Sequence, residues 1–344
     1  MPDGGQGDSD WRREPSPLPL RPVLKIVHNA SPLPQLERDP ALIEEFRSIL
    51  ITCRNDMMAY RDIVLTGRDE IGIHQTRVAL RRLRAAISLF RTALDEDAPK
   101  DLSHAARELA SACGGTRDWD VFLADTLPAG LAALKRHTED KDVNYLGKRA
   151  AALARTAKRL RRTAHDKARA ALSGEVFQAF DTKFTATIDA PAPDIVDREA
   201  AELSVLNFAR GALEHRDHKV SKLGKHLDEL PFSEKHRLRV RLKKLRYAAA
   251  FLRHAFDPGQ ADAYIDAAAK LQEALGAIND RAVTHGLLDQ LRTAAHPSGA
   301  HDWLAGALSG WLVGETDRRE ARLDKAWRQF RKAPRYWRSA EQEA

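Results

Sequence analysis

The chain has 344 residues, 43% of them hydrophobic and 31% charged, which supplies a sizeable core and excludes wholesale disorder. Lys and Arg total 56 against 49 Asp and Glu, and the resulting +7 permits a polyanionic partner without demanding one. Cys53 and Cys113 are the only two cysteines, too few for a disulfide framework or a Cys-rich zinc site, so both are expected as buried free thiols in a reducing compartment. The Gly- and Asp-rich start has no apolar segment of the signal-peptide kind. The longest uncharged apolar run, Trp303 to Gly314, falls short of the ~20 residues that span a bilayer, so the expected location is the cytoplasm.

Residues 1–40 carry Pro15, Pro17, Pro19, Pro22, Pro32, Pro34 and Pro40 and no apolar periodicity, the pattern of a flexible arm. From Ala41 apolar residues recur at three- and four-residue spacing and strand patterns are almost absent, so the fold is expected to be all-α. The texture breaks at Asp189 to Asp194, Asp-Ala-Pro-Ala-Pro-Asp, which reads as a linker between halves 41–188 and 195–338. Four helices are predicted in the first half, near 41–66, 70–95, 100–127 and 140–173. The second half predicts four more, near 199–229, 233–256, 260–294 and 301–332.

The halves are related. His74 to Arg84 reads HQTRVALRRLR and His236 to Arg246 reads HRLRVRLKKLR, with six of eleven positions identical and two more exchanging Arg for Lys. Leu109 to Val121 (LASACGGTRDWDV) aligns with Leu271 to Val283 (LQEALGAINDRAV) at the same offset of 162 residues. A constant offset across two separated motifs marks a duplicated unit. The glycines in the second motif predict a break in the third helix of each half, at Gly114-Gly115 and at Gly276. Asp118 or Asp280 would then cap the new start.

On a helical wheel Leu80, Leu83, Ile87, Phe90 and Leu94 form one apolar stripe, and His74, Arg77, Arg81, Arg84 and Arg91 form an adjacent basic sector. The second half repeats this with Leu238, Leu242, Leu245, Leu252 and Phe256 beside His236, Arg239, Lys243, Arg246 and Arg253. No Asp or Glu occurs from Ile71 to Leu94 or from Lys235 to Phe256. Ordinary exposed helices intersperse acids at i,i+4, because like charges there repel. A run of cations is tolerated only in full water or opposite an anion. Arginine suits phosphate oxygens, since its planar fork donates two bonds and stays charged. Each basic stripe covers roughly 25 Å of helix, so the ligand expected is a long polyanion rather than a single phosphate.

A second array lies on the fourth helices. Arg155, Arg159, Arg162 and Arg169 share a face, with Lys148 and Lys158 nearby, and Arg318, Arg322, Lys325 and Lys332 repeat that spacing at an offset of 163. Asp317, Glu320 and Asp324 interrupt the later array, so ordinary ion pairing accounts for it equally well.

These motifs, ending in Trp327, Phe330 and Trp337, resemble the CHAD domain, the conserved histidine α-helical domain, over residues 41–338. The resemblance implies two pseudo-twofold-related four-helix units around a basic central groove that binds inorganic polyphosphate. The matching positions are His74, Arg77, Arg81, Arg82 and Arg84, then His236, Arg239, Lys243, Lys244 and Arg246. Arg82 and Lys244 lie outside the basic sector and rest on the resemblance alone. A Glu-x-Glu-x-Lys triphosphatase signature, found in some relatives, is missing, so a stand-alone member attached to polyphosphate or similar granules is expected.

Each motif has one histidine among arginines, which argues against a metal site and leaves a phosphate contact and a structural role at the helix start both open. Asp118 and Asp280 read as caps that also pair with basic helices; Asp120 has Ala282 opposite it in the repeat, so no catalytic carboxylate pair forms. The expected function is non-catalytic polyphosphate binding without a cofactor. Nucleic-acid binding and polyphosphate processing are the alternatives.

Overall fold

Asp39 opens the first helix: its carboxylate accepts from the backbone N–H groups of Ala41 and Leu42, and Pro40 stands in the first turn where no donor is needed. In this computed structural model the described residues are 39–67, 70–91, 98–192, 194–295, 299 and 301–338. The arm expected over 1–40 therefore lies outside them, except that Asp39 and Pro40 belong to a helix terminus.

Helices joined by turns and short irregular connections, with no strand, make up the described residues. The first half contains α1 (Pro40–Thr66), α2 (Glu70–Phe90), α3 (Ala98–Ala112), α4 (Gly114–Val121), α5 (Leu127–Lys135), α6 (Asp140–Ser173) and α7 (Glu175–Ile188). The second contains α8 (Arg198–Leu223), α9 (Phe232–Phe251), α10 (Pro258–Ala295), α11 (Asp302–Gly314) and α12 (Thr316–Lys332). No helix here is long and apolar enough to cross a membrane.

The expected break at the glycines occurs in one half and fails in the other. The first half separates α3 from α4 at Cys113, just before Gly114-Gly115, whereas α10 runs through Gly276 without interruption. The position matching Gly115 is Ala277, so the second half carries one glycine where the first carries two. A single glycine costs about 1 kcal/mol relative to alanine, and the long α10 absorbs it. Neither aspartate caps a helix. Asp118 lies inside α4 and Asp280 inside α10.

Other departures have local causes. A π turn over Phe122–Thr126 precedes α5, with the Leu127 N–H donating to Phe122. Pro128 has no N–H for the normal bond to Ala124, and the chain widens ahead of it. The fourth helix of the second half is two helices, separated at Glu315. α7, α5 and the short turns raise the element count above four per half.

Two apolar cores hold the helices. The larger combines residues of both halves, among them Phe46, Leu83 and Phe90 with Phe208, Leu242, Phe251 and Phe330. The smaller joins Trp119, Phe122 and Leu153 to Leu291 and Leu308. Cys53 and Cys113 are free and buried, and burial pushes their thiols up, to about 12 and about 11. Leu80, Leu83, Ile87 and Phe90 lie in the larger core with Leu238, Leu242, Leu245, Leu252 and Phe256, which turns the basic sectors out of it, while Leu94 lies outside the described residues. The segment after α12 is strapped to α8: Arg338 grips Glu214 at 2.7 and 2.8 Å, and Trp337 donates to the same carboxylate at 2.9 Å.

Candidate functional site

α2 and α9 pack against each other, and their basic residues meet at the crossing. Arg81 of α2 donates Nε to the Tyr247 hydroxyl of α9 at 2.8 Å. Arg81 also acts on Lys243 of α9, four residues before that tyrosine. Arg81 and Lys243 are separated by 162 residues, so the two stripes meet at matching positions.

The next elements complete the cluster. α4 supplies Arg117 and Asp118, α10 supplies Asp280, and α12 supplies Arg319, which donates Nη1 to the Ala277 carbonyl at 2.7 Å. Asp118 interacts with Arg77 and Arg117; Asp280 interacts with Arg239, Arg319, Lys243 and Arg117. Asp118 also feels Asp280, its counterpart at the 162-residue offset. Arg77, Arg81, Arg117, Arg239, Lys243 and Arg319 thus surround two carboxylates, an excess of positive charge.

Both glycines serve this cluster. A Cβ on Gly114 would stand 3.1 Å from Arg77 Nη1, and one on Gly276 would stand 3.2 Å from Arg239 Nη2. Each guanidinium therefore lies directly on a helix backbone. Arg77 Nη1 also donates to the carbonyl of Ala110, which the break between α3 and α4 releases from its own helical bond.

Confinement shows in the titration of the cluster. Burial, then Arg239 and Arg81, bring the Lys243 ammonium down to about 7, against the opposing pull of Asp280. Arg77 and Arg239 are lowered first by burial and then by Arg81. Burial raises Asp118 and Asp280 despite their arginine neighbours. Asp280 keeps an exposed surface while the surrounding protein raises it.

The remaining sequence candidates are dispersed. Arg82 is bound by Asp56 at 2.9 Å, Arg253 by Asp262 at 3.0 Å, and buried Arg246 donates to Gln272 at 3.1 Å. Arg84, Arg91 and Lys244 gather on a different flank. Arg155, Arg159 and Arg162 are exposed on α6, with Arg159 3.4 Å from the Ala294 carbonyl, and they do not join the central cluster. Arg322 and Lys325 are exposed on α12, and the Arg318 side chain lies outside the described residues. Where it is described, the second array is exposed. His74 and His236 occupy the second turns of α2 and α9, the first half-buried and the second exposed. Among the described residues no three His, Cys, Asp or Glu side chains gather into a group able to hold a metal ion.

Sequence reasoning missed Arg117 and Arg319. Their counterparts are Asn279, at the offset of 162, and Thr156, at the offset of 163 that holds for the fourth helices, so a search for duplicated cations passes over both. Asp120, by contrast, forms a buried ion pair with Arg161 of α6 at 2.5 Å, a tie between helices.

The fold is shared with solved structures. The crystal structure of the CHAD domain from the plant Ricinus communis matches with a TM-score of 0.70 and 26% identity, covering 88% of this chain and 97% of that one. PptA from Streptomyces chartreusis matches with a TM-score of 0.63 and 16% identity, over 85% of this chain and 99% of that one, a likeness of fold alone. No curated protein matches the chain in sequence. The CHAD domain family model matches residues 48–289, which is most of the ordered helical region, and the chain belongs to the CHAD domain family.

Proposed function

We propose that the protein binds inorganic polyphosphate, without catalysis, through the basic sectors of α2 and α9, and that binding attaches it to polyphosphate or related granules. The observation that carries this reading is the encounter of Arg81 with Lys243 at the α2–α9 crossing. Residues at matching repeat positions approach each other only close to the axis that relates the repeats. The same holds for Asp118 and Asp280. We take the two halves to be pseudo-twofold-related units whose basic sectors face one groove, with α2 (Glu70–Phe90) and α9 (Phe232–Phe251) as its matching walls.

The ligand follows from the charges. Six cations on a confined surface repel one another, and a polymer of closely spaced phosphates relieves that repulsion along its length. Aromatic rings that would stack bases are scarce at the crossing; Tyr247 is mostly buried and engaged by Arg81. Competition between polyphosphate and duplex or single-stranded DNA at equal phosphate concentration tests the assignment, with polyphosphate expected to win. Release of phosphate from polyphosphate in the presence of Mg²⁺ or Mn²⁺ would replace the binding role with an enzymatic one.

A further inference from the structure

Cations also gather on the α8 flank of the α2–α9 crossing. Arg216 of α8 donates to the Ser88 carbonyl of α2 at 3.2 Å, and Arg241 of α9 donates to the Lys219 carbonyl of α8 at 3.1 Å. These bonds tie three helices together and set the positions of their neighbours. Lys219 lies one turn beyond Arg216, Lys244 one turn beyond Arg241, and Arg84 one turn before Ser88. Arg107 of α3 faces Arg84. Lys219, Lys244 and Arg107 are exposed, while Arg84 buries its Nε with no hydrogen-bond partner.

Nearby carboxylates are engaged elsewhere. Glu214 is held by Arg338 and Trp337, Asp217 accepts from buried Tyr264 at 2.8 Å, and Glu108 pairs with His104 at 3.6 Å. Asp95, Glu96 and Asp97 lie outside the described residues. After burial, the influences that lower Lys244 are Arg216, Arg84, Lys219 and Arg91, all cations. The opposite flank differs. Arg82, which matches Lys244 at the repeat offset, is neutralised by Asp56 at 2.9 Å.

We propose that Arg84, Arg107, Lys219 and Lys244 form a second anion-binding basin at the α2–α8–α9 junction, which takes the next stretch of a phosphate polymer leaving the central cluster. The inference rests on the polyphosphate reading above and adds a direction to it: the polymer runs off the crossing towards α8, because the α1 side is already paired. Arg77 and Arg84 lie on one face of α2 seven residues apart, roughly 10 Å, so a chain of several phosphates bridges the two groups.

The test titrates tripolyphosphate and long-chain polyphosphate into the wild-type chain and into the double variant Arg107→Glu/Lys219→Glu, with thermal melting as the control of folding. Both positions are exposed and lie outside the central cluster. The basin predicts that long-chain affinity falls at least roughly tenfold and that the slope of log affinity against log salt shrinks by about two. Tripolyphosphate, which fits the central cluster alone, is expected to bind the variant as it binds the wild type. Should the reversals lower the melting temperature, Arg107→Gln/Lys219→Gln gives the same contrast with a smaller loss. Unchanged long-chain affinity, or equal weakening of both probes, overturns the basin while leaving the central site standing. A wild-type chain that binds neither probe overturns the polyphosphate reading and the basin with it.

Discussion

Arg239 rests its guanidinium on the backbone of Gly276, so closely that a Cβ there would stand 3.2 Å from Nη2. The glycine is a recess for a cation inside an unbroken helix. Gly276→Ala is expected to leave the melting temperature unchanged or slightly higher, because alanine is favoured by about 1 kcal/mol in a helix interior and the arginine end moves aside. Polyphosphate affinity should fall several-fold, roughly 1 kcal/mol, since Arg239 loses its set position. Calorimetric melting beside a binding titration separates the two effects; a fall in both would make Gly276 a packing requirement.

Lys243 gives the site a pH dependence. Its folded-state value of about 7 lies below the ordinary 10.5, so the unfolded chain binds more protons between these values and stability rises with pH across that window. Bound polyanion favours the protonated form, so binding takes up a proton near neutral pH and affinity declines as pH climbs from about 7 towards 9. Lys243→Arg, charged throughout, should flatten that decline. Titrations in buffers of different ionisation enthalpy read the proton uptake directly, and a pH-independent wild-type affinity over this range would refute the role given to Lys243.

The carboxylates in the cluster oppose the ligand, and burial outweighs the pull of the cations around them. Asp280 interacts with Arg239, Arg319, Lys243 and Arg117. Asp280→Asn should tighten polyphosphate binding by roughly 1 kcal/mol, about fivefold, as it removes a repelling charge. The same change should leave the melting temperature unchanged or raise it, because burial, which raises the Asp280 carboxyl, outweighs the pull of its four cations. Weaker binding would instead mark Asp280 as a residue that positions the arginines.

The strap formed by Trp337 and Arg338 on Glu214 should be independent of binding. Glu214 is held below the usual carboxylate value of 4.5 first by its hydrogen bond from Arg338 and then by that from Trp337, against burial. Its contribution is therefore present above that value and is lost as pH falls through the lower folded value. Glu214→Gln should destabilise the protein by no more than about 1 kcal/mol, because the pair is partly exposed and screened by solvent, and should leave polyphosphate affinity unchanged. Chemical denaturation at neutral pH measures the first quantity; a variant that melts as wild type would show the strap to be incidental.

The sequence revealed the helical class, because core leucines leave a strong periodic signal, and its acid-free stretches marked the candidate cations. It did not reveal which cations converge. Arg77, Arg81, Arg239 and Lys243 share one neighbourhood, whereas Arg246 and Arg253 on the same wheel sector are taken by Gln272 and Asp262 of α10. Such pairings depend on which helix packs alongside, and a wheel contains no neighbouring helix. The glycine motif predicts a break because propensity is local, while the need to admit an arginine is tertiary. Arg319 reaches the cluster from α12, a contact that no spacing within the chain encodes.

The central claim rests most directly on Arg81 and Lys243. Long-chain polyphosphate titrated at fixed salt into the wild-type chain and into Arg81→Gln/Lys243→Gln, with circular dichroism to verify the helices, measures it. The account predicts tight, steeply salt-dependent wild-type binding and a double variant about a hundredfold or more weaker, as two desolvated charge-assisted contacts are lost. A double variant that remains helical and binds as the wild type does would contradict it.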